Sequence, residues 1–129
     1  MPSHVLRVAR PTDNLTRVAE FYRAGLGFEL LAQFNDHQGF DGVVLGRPGT
    51  PWHIEFTRQH GVSAGRAPTT EHLLVLYLPD QDEWAAAVER LQAFGANECE
   101  PDNPYWQVRG KTFEDPDGYR IVLQNAGWA

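Results

Sequence analysis

The sequence predicts an α+β protein in which two tandem βαβββ modules form an open mixed sheet with a cleft. Three observations lead to this prediction. The order of strand and helix patterns in the first half returns in the second. A shift of 69 residues places the apolar face of the first predicted helix on that of the second, for example Val18 on Ala87. The chain also closes with a tight turn at 115–118 that leads into an apolar strand pattern.

The first predicted module runs strand, helix, strand, strand, strand. Polar residues that cap helices stand at 12–14, and glycines follow the end of the helical pattern. Short β-branched and aromatic runs separated by polar turns indicate the strands. The predicted elements are a strand at 5–9, a helix at 15–24, and strands at 28–34, 40–46 and 52–57.

The second predicted module repeats this plan after a stretch rich in Gly, Ser, Thr and Pro. Its predicted elements are strands at 72–78 and 96–100, a helix at 83–94, and a closing hairpin at 105–113 and 119–124. We therefore predict one domain over 1–129, which consists of a first module at 1–58, a linker at 59–70 and a second module at 71–129.

Composition and charge limit the classes of partner. The formal net charge is −6 and no basic run is present, which argues against nucleic acid and acidic membranes as partners. No apolar run approaches the roughly 20 residues of a membrane-spanning helix, and the N-terminus lacks the pattern of a signal peptide. Cys99 is the single cysteine, so no internal disulfide can form, and a cytoplasmic location fits.

Polar residues on one face of the predicted strands suggest a small-molecule pocket. In the strand at 52–57, His53 and Glu55 alternate with Trp52, Ile54 and Phe56, so the two sets occupy opposite faces. The predicted cleft face carries Arg7, His53, Glu55, His72, and Arg120 or Gln124. Tyr105 and Trp106 add aromatic walls at the rim, or alternatively pack at a dimer interface.

The chain resembles the vicinal oxygen chelate superfamily, which includes glyoxalase I, bleomycin- and fosfomycin-resistance proteins and extradiol dioxygenases. The resemblance rests on Asp13-Asn14-Leu15, Glu20-Phe21-Tyr22, Leu26-Gly27-Phe28, Ile54-Glu55-Phe56, His72, and Phe113 through Tyr119. It covers nearly the whole chain. It implies the tandem βαβββ fold, a cleft for a small molecule, and a homodimer.

Members of this superfamily bind metal through four residues, and two of those positions carry suitable ligands here. The resemblance assigns them to Glu55 and His72, which could hold Ni, Zn, Mn or Fe. The last position falls on Val122, which cannot ligate a metal. The first falls on Ser3 or on His4, depending on the register of the first strand. No metal is therefore favoured, and the structural alternatives are an Arg7–Glu55 ion pair and a His72 bonded to solvent or backbone.

Three functional hypotheses follow. The first is a metal-independent small-molecule binding protein, to which the negative charge would attract a cationic ligand. The second is a metal-dependent enzyme, either a glyoxalase-type lyase or isomerase or a dioxygenase, in which Glu55 and His72 hold the metal and Glu55 is the candidate base. The third is a structural or regulatory homodimer without chemistry. The residues leave the substrate open.

Overall fold

The computed structural model describes residues 4–128. It divides into two compact units, the first of which ends at Gly65 and the second of which begins at Arg66. Each unit contains one four-stranded mixed sheet with helices, and its strands and first helix follow the order strand, helix, strand, strand, strand. The second unit has an additional short helix between its second and third strands. The predicted α+β class and the tandem βαβββ plan are confirmed. Over the described residues, no helix is long and apolar enough to cross a membrane.

The sheet of the first unit has the strand order β1-β4-β3-β2. The pair β1–β4 is parallel, and the pairs β3–β4 and β2–β3 are antiparallel. The elements are β1 (Leu6–Pro11), α1 (Leu15–Glu20), a π-helical segment (Phe21–Gly25), β2 (Glu29–His37), β3 (Phe40–Gly46) and β4 (Trp52–Gln59).

The helix of the first unit begins where the sequence predicts and ends in a wider turn. The Asn14 side chain caps α1 by accepting a hydrogen bond from the Arg17 backbone N–H at 3.1 Å. In the π-helical segment, the Leu26 N–H donates to the Phe21 carbonyl five residues back. Tyr22 is fully buried, and its ring centre lies 4.9 Å from that of Phe56 on β4. The helix therefore covers the apolar face of the sheet.

The sheet of the second unit has the equivalent order β5-β8-β7-β6, with β5 and β8 parallel. Val88 and Leu91 of its long helix are buried, and the Trp84 indole N–H donates to the Leu123 carbonyl at 2.8 Å. The elements are β5 (Leu73–Tyr77), α2 (Gln81–Phe94), β6 (Asn97–Cys99), α3 (Tyr105–Val108), β7 (Gly110–Glu114) and β8 (Arg120–Gln124).

One predicted strand is partly wrong, because residues 105–108 form the short helix α3. The Asn103 side chain accepts from the Tyr105 N–H at 3.0 Å, and the Asn103 carbonyl accepts from the Trp106 N–H at 3.1 Å. These bonds wind the chain into a turn that overrides the strand preference of its aromatic residues. The strand β7 accordingly begins at Gly110.

The connection between β4 and β5 is bonded to each unit. The Asp13 carboxylate accepts three hydrogen bonds from residues 63–65: 2.7 Å from the Ala64 N–H, 3.0 Å from the Gly65 N–H and 3.3 Å from the Ser63 hydroxyl. In the second unit, Arg66 donates to the Pro116 carbonyl at 3.2 Å. The turn at 115–118, which joins the last two strands, therefore also anchors the start of the second unit.

Candidate functional site

The first unit brings three predicted site residues together on one face of its sheet. Arg7 on β1 is in register with His53 on β4, and Ala9 is in register with Glu55. Register partners in a sheet point to the same side, so Arg7, His53 and Glu55 share the face opposite to Ile54 and Phe56. We call these three residues the polar cluster.

The hydrogen bonds of the polar cluster fix its chemistry. The Arg7 Nε–H donates to His53 Nε2 at 2.9 Å, so this imidazole nitrogen is an acceptor and the ring proton lies on Nδ1. One Arg7 Nη lies 3.4 Å from Glu55 Oε2. The expected Arg7–Glu55 ion pair is therefore present, and it joins neighbouring parallel strands. Glu55 is only 15% exposed, whereas Arg7 is 49% exposed and keeps further N–H groups free to donate.

An apolar strip runs beside the polar cluster on the same face of the sheet. Val44 on β3 is in register with Glu55, and Phe34 on β2 is in register with Gly42. A Cβ at position 42 would overlap the Phe34 ring, so only a glycine leaves room for the ring here. Sequence reasoning missed this strip, although a glycine paired with an aromatic residue was the available signal. The face combines hydrogen-bonding groups with an apolar surface.

His72 lies in the second unit, just before β5. Its Nδ1 is 2.9 Å from the Thr69 hydroxyl, and its ring packs edge-on against Tyr119 at 6.0 Å. This partner is a side chain, where we expected solvent or backbone. Leu73 is in register with Arg120, so the position of His72 is opposite Tyr119. His72 therefore lies on the other side of the sheet from Arg120 and Val122. The imidazole is thus held within the second unit by two neighbours.

Two further predicted residues lie on α3. The rings of Tyr105 and Trp106 pack edge to face with centres 4.8 Å apart, and Tyr105 is largely exposed.

Among the candidates for the first ligand position, His4 is exposed. Arg7 lies on the same face as Glu55. Of the two registers considered for the first strand, this is the one that assigns the first ligand position to Ser3, which lies outside the described residues.

The donor set does not fit the four-ligand metal centre that the superfamily implies. Within residues 4–128, no group of three or more His, Cys, Asp or Glu residues is arranged to hold a metal ion. The Glu55 carboxylate faces the Arg7 guanidinium, whose positive charge opposes a divalent cation at the same place. Val122 stands at the fourth position and is fully buried.

Cys99 is not an activated nucleophile. Burial is the main cause that raises the pKa of its thiol, and the nearby carboxylates of Glu114, Asp102 and Glu98 raise it further against the opposing charge of Arg120.

Comparisons with known proteins agree with this fold. Residues 6–57 match the model of the YycE-like N-terminal domain, and residues 71–125 match that of the YycE-like C-terminal domain. YycE from Bacillus subtilis (strain 168) is 43% identical over 121 residues, which cover 94% of this chain and 87% of that protein. The crystal structure of Bacillus subtilis YycE, a protein of unknown function, superposes with a TM-score of 0.90 at 41% identity and covers 98% of this chain and 93% of that chain.

More distant structures share the fold. Glyoxalase I from Leishmania major gives a TM-score of 0.74 at 21% identity, with 97% of this chain and 88% of that chain covered. TnmS3, an antibiotic binding protein from Streptomyces sp. CB03234, gives 0.66 at 28% identity, with 95% of each chain covered. The tandem βαβββ units are those of the vicinal oxygen chelate superfamily. Within that superfamily, this chain belongs to the YycE-like family.

Proposed function

We propose that this protein binds a small molecule on the face that carries the polar cluster, and that it does so without a metal ion. The observation that carries the proposal is the position of Arg7, whose guanidinium contacts both His53 and Glu55. The arginine occupies the surroundings of the carboxylate that would otherwise serve as a metal ligand. Its remaining N–H groups, the free oxygen of Glu55 and the N–H of His53 form a compact hydrogen-bonding set.

The apolar strip supports a ligand with an apolar body. The half-buried Phe34 offers hydrocarbon surface on the face of the polar cluster, whereas Val44 on this face is buried. Pockets for small molecules combine polar groups with apolar lining of this kind. TnmS3 is an antibiotic binding protein on the same fold at 28% identity, and it supports a binding role. The ligand we propose is a small amphipathic molecule that places a polar group at Arg7.

Substitution of the polar cluster tests this proposal. A panel of small aromatic and amphipathic compounds, antibiotics included, would be screened by the thermal shift of the wild-type protein. We expect at least one compound to raise the melting temperature. This rise should shrink in Arg7→Gln, because the charge-assisted contacts of Arg7 with His53 and Glu55 are lost. Arg23→Gln is the matched control, since among the described residues Arg23 makes only an exposed pair with Glu20. A hit of equal strength in all three proteins would place the ligand elsewhere.

Metal analysis tests the second half of the proposal. Untagged protein would be equilibrated with Ni, Zn, Mn and Fe(II), and its metal content measured by mass spectrometry. We expect less than stoichiometric metal under each condition. Near-stoichiometric metal that is lost in Glu55→Ala would refute the metal-free site and favour the metal-dependent enzyme.

The proposal extends to the second unit and to assembly. Within the second unit, taken by itself, we propose His72, Tyr105 and Trp106 as contacts for a small molecule, to be tested by His72→Ala and Trp106→Ala in a screen of the same kind. We also propose a cytoplasmic homodimer. Light scattering would then give twice the chain mass of 14.5 kDa, and a mass equal to one chain would rule the dimer out.

A further inference from the structure

The second unit contains an open depression that the proposed function does not use. It has a volume of about 520 Å³, and its walls come from the start of α2, from α3 and from the start of β7. Lys111 in this wall is in register with Leu123, so it lies on the opposite side of the sheet from Glu114 and Arg120. We infer that this depression is a separate binding site for a small aromatic carboxylate.

The charge of the lining points to an anion. Two basic residues, Arg109 and Lys111, line the depression, and no carboxylate does. This is unusual in its surroundings, because residues 66–129 contain 11 acidic and only 5 basic residues, a net charge of 5 − 11 = −6. Within this unit, the contacts that favour an anion are therefore concentrated at the wall formed by Arg109 and Lys111.

Both cations are positioned to receive an anionic group. The Arg109 Nε–H donates to the Asn125 carbonyl at 2.9 Å, which orients the guanidinium, and in the described part of the chain no carboxylate pairs with it. Lys111 Nζ lies 3.3 Å from Glu98, and both side chains are substantially exposed. An exposed pair of this kind is weak, so the ammonium can reorient toward a ligand.

Trp84 supplies the surface for an aromatic ring. Its indole N–H is already satisfied by the Leu123 carbonyl at 2.8 Å, so the ring is held in place and offers apolar atoms to the depression. The side-chain amides of Gln81 and Gln107 complete the wall with neutral hydrogen-bonding groups. A fixed indole beside two cations matches a flat apolar ring that carries a carboxylate.

The test uses 2-naphthoate as the probe and 2-naphthamide as its uncharged analogue. Titrations of the ¹⁵N-labelled protein would follow the Trp84 indole N–H signal, which reports directly on the depression. We expect 2-naphthoate to shift this signal with saturation and 2-naphthamide to bind at least tenfold more weakly. In Lys111→Gln, we expect the dissociation constant of 2-naphthoate to rise about tenfold, since a charge-assisted contact of about 1.4 kcal/mol is lost. Arg23→Gln removes the same charge from the first unit and should leave binding unchanged.

Three results would overturn the inference. An unmoved Trp84 signal at millimolar 2-naphthoate would show that the depression does not bind the probe. Equal affinity for naphthoate and naphthamide would remove the role of the cations, as would equal affinity in Lys111→Gln and wild type. Because the polar cluster lies in the first unit, failure here leaves the proposed function standing.

Discussion

Asp13 connects the start of the first helix to residues 63–65 by ionic hydrogen bonds. Its pKa is lowered from 3.8, chiefly by the backbone N–H groups of Ala64 and then Gly65, which favour the charged carboxylate. A lowered folded-state pKa means that the stabilisation is present above the unfolded value and is lost as the pH falls through the folded value. The anchoring of residues 63–65 should therefore hold at neutral pH and weaken in acid.

The Ala64 amide proton gives a direct measurement of this titration. We expect its chemical shift in a two-dimensional NMR spectrum to titrate with a midpoint below 3.8. Asp13→Asn should abolish the titration, because the amide side chain carries no ionisable proton. Glu89→Gln, an exposed change on α2, should leave it intact. A midpoint at or above 3.8 in the wild type would contradict the role of these hydrogen bonds.

Gly118 in the closing turn has φ of +90°, a conformation that costs other residues about 1–2 kcal/mol. A Cβ there would also lie 2.9 Å from an Arg66 nitrogen, but Arg66 is exposed and flexible enough to move away. Gly49 is a matched control, with φ of +82° and open space around its Cβ position. We expect Gly118→Ala and Gly49→Ala to lower the free energy of unfolding by similar amounts, within about 1 kcal/mol of each other.

Urea denaturation of the two variants measures this difference. Any excess in Gly118→Ala should disappear when Arg66→Ala is added, because the displaced contact is then absent. An excess above about 2 kcal/mol that persists in the double variant would mean that the turn needs this glycine for a reason other than its backbone conformation.

The polar cluster was predictable at the level of single residues, whereas the surroundings of His72 were not. Strict alternation of polar and apolar residues in β4 places His53 and Glu55 on the face opposite the apolar residues. To place Arg7 beside them, one further assumption was needed, that β1 pairs with β4. His72 precedes β5, so the alternation of side chains along a strand does not determine which face of the sheet its side chain points to. Its contact with Tyr119 depends on the β5–β8 register, which sequence does not fix.

The secondary-structure elements follow the sequence where side chains and backbone preference agree. Strand β3 has the predicted bounds, 40–46, and α2 ends at the predicted residue, Phe94. They differ where local hydrogen bonds decide, as in α3, or where a bulge extends a strand, as in β2 with its positive φ at Asp36. The π-helical segment was not predictable, since its apolar positions also satisfy the α-helical period.

Helix α2 allows a test of capping at the scale of one element. The Asp80 side chain accepts from the Glu83 N–H at 2.9 Å, whereas Asp82 lies in the first turn without this role. We expect Asp80→Ala to lower the free energy of unfolding by about 1 kcal/mol. Asp82→Ala should cost a few tenths of a kcal/mol, through the helix dipole alone. Equal losses in chemical denaturation would show that charge, and not the cap, stabilises this end.

The whole molecule distributes its charge unequally between the two units. Residues 1–65 contain 6 basic and 6 acidic residues, so their net charge is 6 − 6 = 0. Residues 66–129 carry the entire −6 of the chain. The expectation that nucleic acid is not a partner rests on this same charge, since one half is neutral and the other repels phosphate.

The same asymmetry predicts how salt affects stability. Repulsion among like charges destabilises a compact unit, and about 0.1 M salt screens it beyond roughly 10 Å. Raising NaCl from 20 to 300 mM, on the order of a fourfold shorter screening length, should therefore slow amide exchange in β7 and β8 more than in β3 and β4. Glu89→Gln should reduce this difference by lowering the negative charge of the second unit. An equal response of both sheets would mean that charge within the second unit is balanced locally, by pairs such as Lys111–Glu98, and that its net charge does not limit its stability.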